Sequence, residues 1–129
     1  WPGAASTSRS HVEAHLPEPG AEILCHEVTM VTFAALIERH PEFGSSDILF
    51  IDTEGWDGKI ILSIDFSVFR CDLLIYEYIH LESQEQADVI AHLRSSGYAP
   101  FVCGNDMVVI NTQTQHKPLR TVLDKAERL

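Results

Sequence analysis

The chain has 129 residues, 45% of them hydrophobic and 22% charged, with a net charge of -10 and a pI of about 4.9. That length suits one domain with one core, and the composition excludes disorder through most of it. The acidity argues against a nucleic-acid partner and against an anionic membrane surface, because neither gains from a polyanionic protein.

Residues 1–21 hold Pro2, Gly3, Pro17, Pro19 and Gly20 and read as an irregular lead-in. Ile23–Val28 is a short strand candidate. Thr32 is a good helix N-cap, and Phe33, Leu36 and Ile37 follow at helical spacing until Pro41 ends the segment. Ile48–Ile51 then gives a four-residue apolar run, the pattern of a fully buried parallel strand. A short helix is predicted over Asp57–Ile64 with Ile60, Ile61 and Ile64 inward. Leu73–Tyr78 forms a second buried strand. Ser83 caps a helix reaching about Ser95, whose Ala87, Ile90, Ala91 and Arg94 trace one stripe that Val89 and Leu93 widen; Gly97 supplies its left-handed end. Phe101–Cys103 and Met107–Asn111 pair as a hairpin across Gly104-Asn105-Asp106. A polar linker, Thr112–Pro118, leads to an amphipathic stretch with Leu119, Val122, Leu123 and Ala126. The resulting organisation is a lead-in (1–21), an α/β domain (22–111) and a linker with a terminal helix (112–129). Alternating strands and helices imply a mostly parallel sheet with an antiparallel closing hairpin.

The three cysteines, Cys25, Cys71 and Cys103, are odd in number and lack a C-x-x-C pair. They fit a reducing compartment, with each thiol acting as a small buried hydrophobe. No basic-then-apolar leader and no apolar run of about 18 residues is present, so a cytoplasmic location is expected. His11, His15 and His26 lack tight ligand spacing.

The chemistry concentrates after the two buried strands. Asp52 and Glu54 follow the first, on one face while the chain stays extended; Gly55 permits a turn and Trp56 stands ready to wall a pocket. Glu77 and His80 end the second. Parallel neighbours lie about 4.8 Å apart and open on one edge, where ligands of such sheets bind. Three roles suit these groups. They can contact a cofactor or an acceptor hydroxyl. Asp52, Glu54 or His80 can take a proton as general base. A divalent cation, Mg²⁺ or Ca²⁺ before Zn²⁺, can be held by Asp52, Glu54 and Glu77. The competing structural role is capping of the following helices, which carboxylates favour without any ligand.

Ile51-Asp52-Thr53-Glu54-Gly55-Trp56-Asp57, Ile64-Asp65-Phe66, Tyr76-Glu77-Tyr78-Ile79-His80-Leu81 and Gly97-Tyr98, in that order, resemble the FkbM-type S-adenosylmethionine-dependent methyltransferases. Thr32-Phe33 through Leu36-Ile37 is similar to the helix before them, so the resemblance spans about residues 28–111. It implies a class I, Rossmann-like fold, with Ile48–Ile51 as fourth strand, Leu73–Tyr78 as fifth and the hairpin as the last two. It also implies S-adenosylmethionine as cofactor and methyl transfer to an oxygen of a small molecule or sugar; the strand-end geometry offers Asp52 and Glu54 to that cofactor. Asp52, Glu54 and His80 would be catalytic, and Trp56 and Glu77 would face the substrate. No G-x-G stands where such enzymes carry their glycine-rich cofactor loop, and Phe50 occupies a position where the family commonly has lysine. The chain therefore reads as the C-terminal half of such an enzyme. A non-catalytic relative acting as an interaction module is the alternative, with an unpaired strand edge that invites a homo-oligomer.

Overall fold

The computed structural model describes Ser6, residues 9–14, Leu16, Glu18 and residues 21–126. It falls into two compact units, 1–30 and 31–129. In the first, most of the expected lead-in lies outside the described residues, but Arg9–Ala14 is a helix, α1, braced by an Arg9–Glu13 pair one turn apart. Ile23–Val28 forms no strand; the segment has no regular structure, and Leu24 and Val28 are exposed. Without a neighbouring strand its apolar residues have no ladder to join.

The second unit runs α2 (Phe33–Arg39), a single 3₁₀ turn (Pro41–Phe43), β1 (Ser45–Ile51), α3 (Asp57–Leu62), β2 (Arg70–Glu77), α4 (Ser83–Ser95), β3 (Tyr98–Cys103), β4 (Asp106–Asn111) and α5 (Lys117–Ala126). Thr32 caps α2 as its side chain predicts, accepting the Ala35 amide at 3.1 Å. Glu82, not Ser83, occupies the N-cap position of α4. The hairpin turn is one residue shorter than expected, because Cys103 pairs directly with Asp106 across Gly104-Asn105.

The four strands form one mixed α/β sheet in the order β1-β2-β4-β3. β1 and β2 pair in parallel, and β4 runs antiparallel to both β2 and β3. Register puts Leu49, Ile51, Leu74, Tyr76, Met107 and Val109 on one face, where α3 and α4 cover them with Ile61, Val89 and Leu93. Val89 and Leu93 are the buried residues of α4. Ala87, Ala91 and Arg94 are exposed, so the helix is rolled away from the expected stripe to centre its two largest inward aliphatics on the core. Ile48 and Phe50 point to the other face and are each 60% exposed, so β1 is buried on one side only. The apolar run cannot report this, since its residues are apolar on both faces.

A buried polar knot closes the entry to β2. Tyr98 Oη accepts the Cys71 amide at 3.2 Å and donates to the Cys71 carbonyl at 3.2 Å, which also accepts from Asn111 Nδ2 at 3.3 Å. Cys71 is buried as expected, whereas Cys25 and Cys103 are exposed, at an irregular segment and at a hairpin tip. Burial pushes the Cys71 thiol up to about 11 and the Tyr98 phenol up to about 12. Tyr98→Phe strips the Cys71 amide of its acceptor inside the core, and should cost about 1–3 kcal/mol in denaturant unfolding; an unchanged midpoint would contradict that role.

Candidate functional site

β1 and β2 end level, Ile51 opposite Tyr76, so the loops that follow leave from the same sheet edge. After β1 the chain turns sharply. Glu54 adopts φ 52° and Gly55 φ 100°. The left-handed region suits glycine; for glutamate it costs of the order of 1–2 kcal/mol. A Cβ on Gly55 would lie 3.9 Å from that of His80, so the two loops adjoin there. The second loop is fixed from α4: Gln86 Nε2 donates to the carbonyls of Leu81 (2.9 Å) and Tyr78 (3.2 Å). The Tyr78 amide is held by the Asn105 carbonyl of the hairpin turn at 3.2 Å.

Three of the expected site residues meet. His80 Nε2 lies 3.2 Å from Glu77 Oε2 and 3.9 Å from Glu54 Oε2. One ligand atom from each of the three can be chosen so that all lie within 4.8 Å of one another. His80 and Glu54 side chains are 38% exposed and Glu77 21%, so the group is open at the surface. Asp52 remains exposed and outside this group. The strand stops at Ile51 and Glu54 takes a left-handed backbone, so the extended spacing that would set Asp52 and Glu54 on one face lapses before Glu54. The gathered set is therefore two carboxylates and an imidazole. Magnesium favours oxygen ligands, and the proposed Asp52–Glu54–Glu77 set is not assembled. Trp56 is 38% exposed, and Lys59 Nζ stands over its ring at 4.3 Å from the centroid. Of His11, His15 and His26, His15 and the His11 side chain lie outside the described residues, and His26 is exposed.

Burial pushes the Glu77 carboxyl above its usual 4.5; His80 pulls it down, and the charges of Glu54, Asp52 and Asp57 push it up. Asp57 is the site residue that sequence reasoning missed. It is fully buried in the first turn of α3. Its Oδ2 accepts the Thr53 hydroxyl at 2.8 Å and the Thr53 amide at 3.4 Å. Its Oδ1 has no hydrogen-bond partner. The available signal was the Thr-x-x-x-Asp spacing across a glycine turn. Two cavities, of about 550 and 430 Å³, involve other residues, with Arg70 and His92 on the first and Phe33 and Phe69 on the second. They lie towards the start of β2, whereas the carboxylate–histidine group stands at its end.

The methyltransferase FkbM domain matches residues 2–100. The chain belongs to the FkbM methyltransferase family. The family match starts upstream of the blocks that carry the resemblance and ends inside β3, so it takes in both loops of the site. No curated protein and no solved structure matches the chain.

The geometry of the two loops yields two predictions. Glu54→Gly places glycine where the backbone already favours it, so stability should stay within about 1 kcal/mol of wild type while the carboxylate is lost. A large drop in melting temperature would show that Glu54 is there for the fold. The raised Glu77 value means that the folded state holds that proton more tightly than the unfolded chain. The Glu77 contribution to stability is therefore lost as pH rises from its usual 4.5 through its raised folded-state value, and Glu77→Gln should remove that part of the pH dependence. Parallel slopes for the two proteins in chemical unfolding would contradict the assignment.

Proposed function

We propose that this FkbM domain transfers a methyl group from S-adenosylmethionine to an oxygen of a small molecule or sugar. The observation that carries the reading is the meeting of Glu54, Glu77 and His80 at the shared carboxyl edge of two parallel strands, in a chain of a methyltransferase family. The strand order β1-β2-β4-β3 suits the fourth, fifth, seventh and sixth strands of a class I, mostly parallel methyltransferase sheet. Asp52 and Glu54 are the groups offered to the cofactor, since carboxylates suit its ammonium and ribose hydroxyls. Its sulfonium supplies an electrophilic methyl.

Methylation of an oxygen requires loss of the acceptor's proton. Glu77 Oε2 lies 3.2 Å from His80 Nε2, a placement that favours a proton on that nitrogen and would leave the imidazole lone pair on Nδ1. Nδ1 would take the hydroxyl proton of the acceptor as its oxygen is methylated. Trp56, half-exposed beside the turn, offers a flat apolar wall for a sugar or ring. The position of the site suits an acceptor arriving from solvent.

The test supplies S-adenosylmethionine with a labelled methyl and a panel of hydroxylated sugars and small molecules. His80→Gln should lower transfer by about 10²-fold or more, and Asp52→Asn with Glu54→Gln should abolish it without loss of folding. Wild-type turnover in these variants would refute the site assignment.

One observation favours a second reading, an interaction module. β1 pairs with β2 alone among the described strands and shows Ile48 and Phe50 to solvent. Such an edge accepts another strand. A second copy bound there would appear as a dimer in light scattering that Phe50→Lys dissociates; a monomer at all concentrations would count against it.

A further inference from the structure

We infer that Asp57 is a positioning residue, whose buried carboxylate closes the Thr53–Asp57 turn and thereby holds Glu54 facing His80. The inference rests on the reading of Glu54 and His80 as a working pair. Asp57 has no exposed surface, and burying a carboxylate needs compensation. Two donors supply part of it, both from Thr53, four residues back: the hydroxyl at 2.8 Å and the amide at 3.4 Å. The start of α3 supplies more, since a carboxylate is favourable in a helix's first turn.

The ring so closed contains Glu54, at φ 52°, and Gly55, at φ 100°. A glutamate is kept in a left-handed conformation only where its surroundings over-determine it. Here the constraint is the grip of Asp57 on the residue immediately before Glu54. Released, Glu54 would relax towards ordinary backbone, and its Oε2 would leave its place 3.9 Å from His80 Nε2. Capping alone would be satisfied by an exposed aspartate. Complete burial with Oδ1 unpartnered is more than a cap requires, and an unpaired buried polar atom calls for a reason. The geometry offers one: Oδ2 is committed to both Thr53 donors, which leaves Oδ1 buried with no donor of its own.

The test is a double-mutant cycle read on the His80 ring resonances by NMR, in the full 129-residue chain at one fixed pH. Glu54→Gln should shift the His80 resonances in the wild-type background and leave them unmoved in Asp57→Ala. Exchange of the Thr53 amide should accelerate several-fold in Asp57→Ala. Asp57→Asn should restore both, because its amide oxygen accepts the same two donors without the charge. A residue that served stability alone would lower the melting temperature and leave the Glu54–His80 coupling intact. An undiminished Glu54→Gln shift in Asp57→Ala would therefore overturn the inference, as would failure of Asn to restore the coupling. If Asp57→Ala does not fold, Thr53→Val cuts the stronger contact from the other side and should weaken the coupling in the same way. None of these readings requires cofactor, so a chain that fails to bind S-adenosylhomocysteine would count against the methyltransferase reading and leave the role of Asp57 to be judged separately.

Discussion

The parallel pairing of β1 with β2 is the constraint on which the rest depends. Ile51 lies opposite Tyr76, so both strands finish at one level and both following loops emerge on one edge. An antiparallel pairing of the same strands would send Glu54 and His80 to opposite ends of the sheet. Parallel neighbours need a crossover, and here it is α3 and the loop to Arg70, covering the face that holds Leu74 and Tyr76. Fold and site therefore share a cause: the crossover that makes the pairing possible begins at Asp57, the residue that fixes the first loop.

The two loops are anchored by different means. The first is closed locally by Asp57 on Thr53 and carries backbone strain at Glu54. The second is unstrained and is tied down from outside, by Gln86 of α4 and by the hairpin turn at Asn105. α4 in turn is seated by Val89 and Leu93 in the core. A rigid sheet edge with loops fastened on each side suits a group of charged side chains that must keep a fixed separation. Burial raises the pKa of Glu77, with the charges of Glu54, Asp52 and Asp57 adding to the rise against the downward pull of His80; burial likewise pushes the Tyr76 phenol up to about 12, with Asp57 adding to it.

Much of this was legible in the sequence because the signals were local. The Thr32 cap, the two apolar strands, the glycine after α4 and the Gly104-Asn105 turn are short-range patterns, and each element formed within a few residues of its expected place. The FkbM family was legible for a similar reason: several short blocks occur in one order. What was not legible depends on three dimensions. An apolar run does not say which face is covered, so the exposure of Ile48 and Phe50 was missed. Strand periodicity put Asp52 and Glu54 together, but it lapses once Glu54 turns left-handed. The roll of α4 is set by what it packs on, and its own stripe was ambiguous between Ala87-Ala91 and Val89-Leu93. Asp57 looked like an ordinary first-turn acid; its burial is a tertiary fact.

The central claim is that this edge receives the methyl donor through Glu54. Calorimetric titration of the folded 129-residue chain with S-adenosylhomocysteine, beside Glu54→Gln, tests it most directly. The account predicts saturable one-to-one binding by the wild type, weakened at least tenfold in the variant, of the order expected for loss of a charge-assisted hydrogen bond. No heat of binding from a chain shown to be folded, or equal affinity in the two proteins, would contradict it.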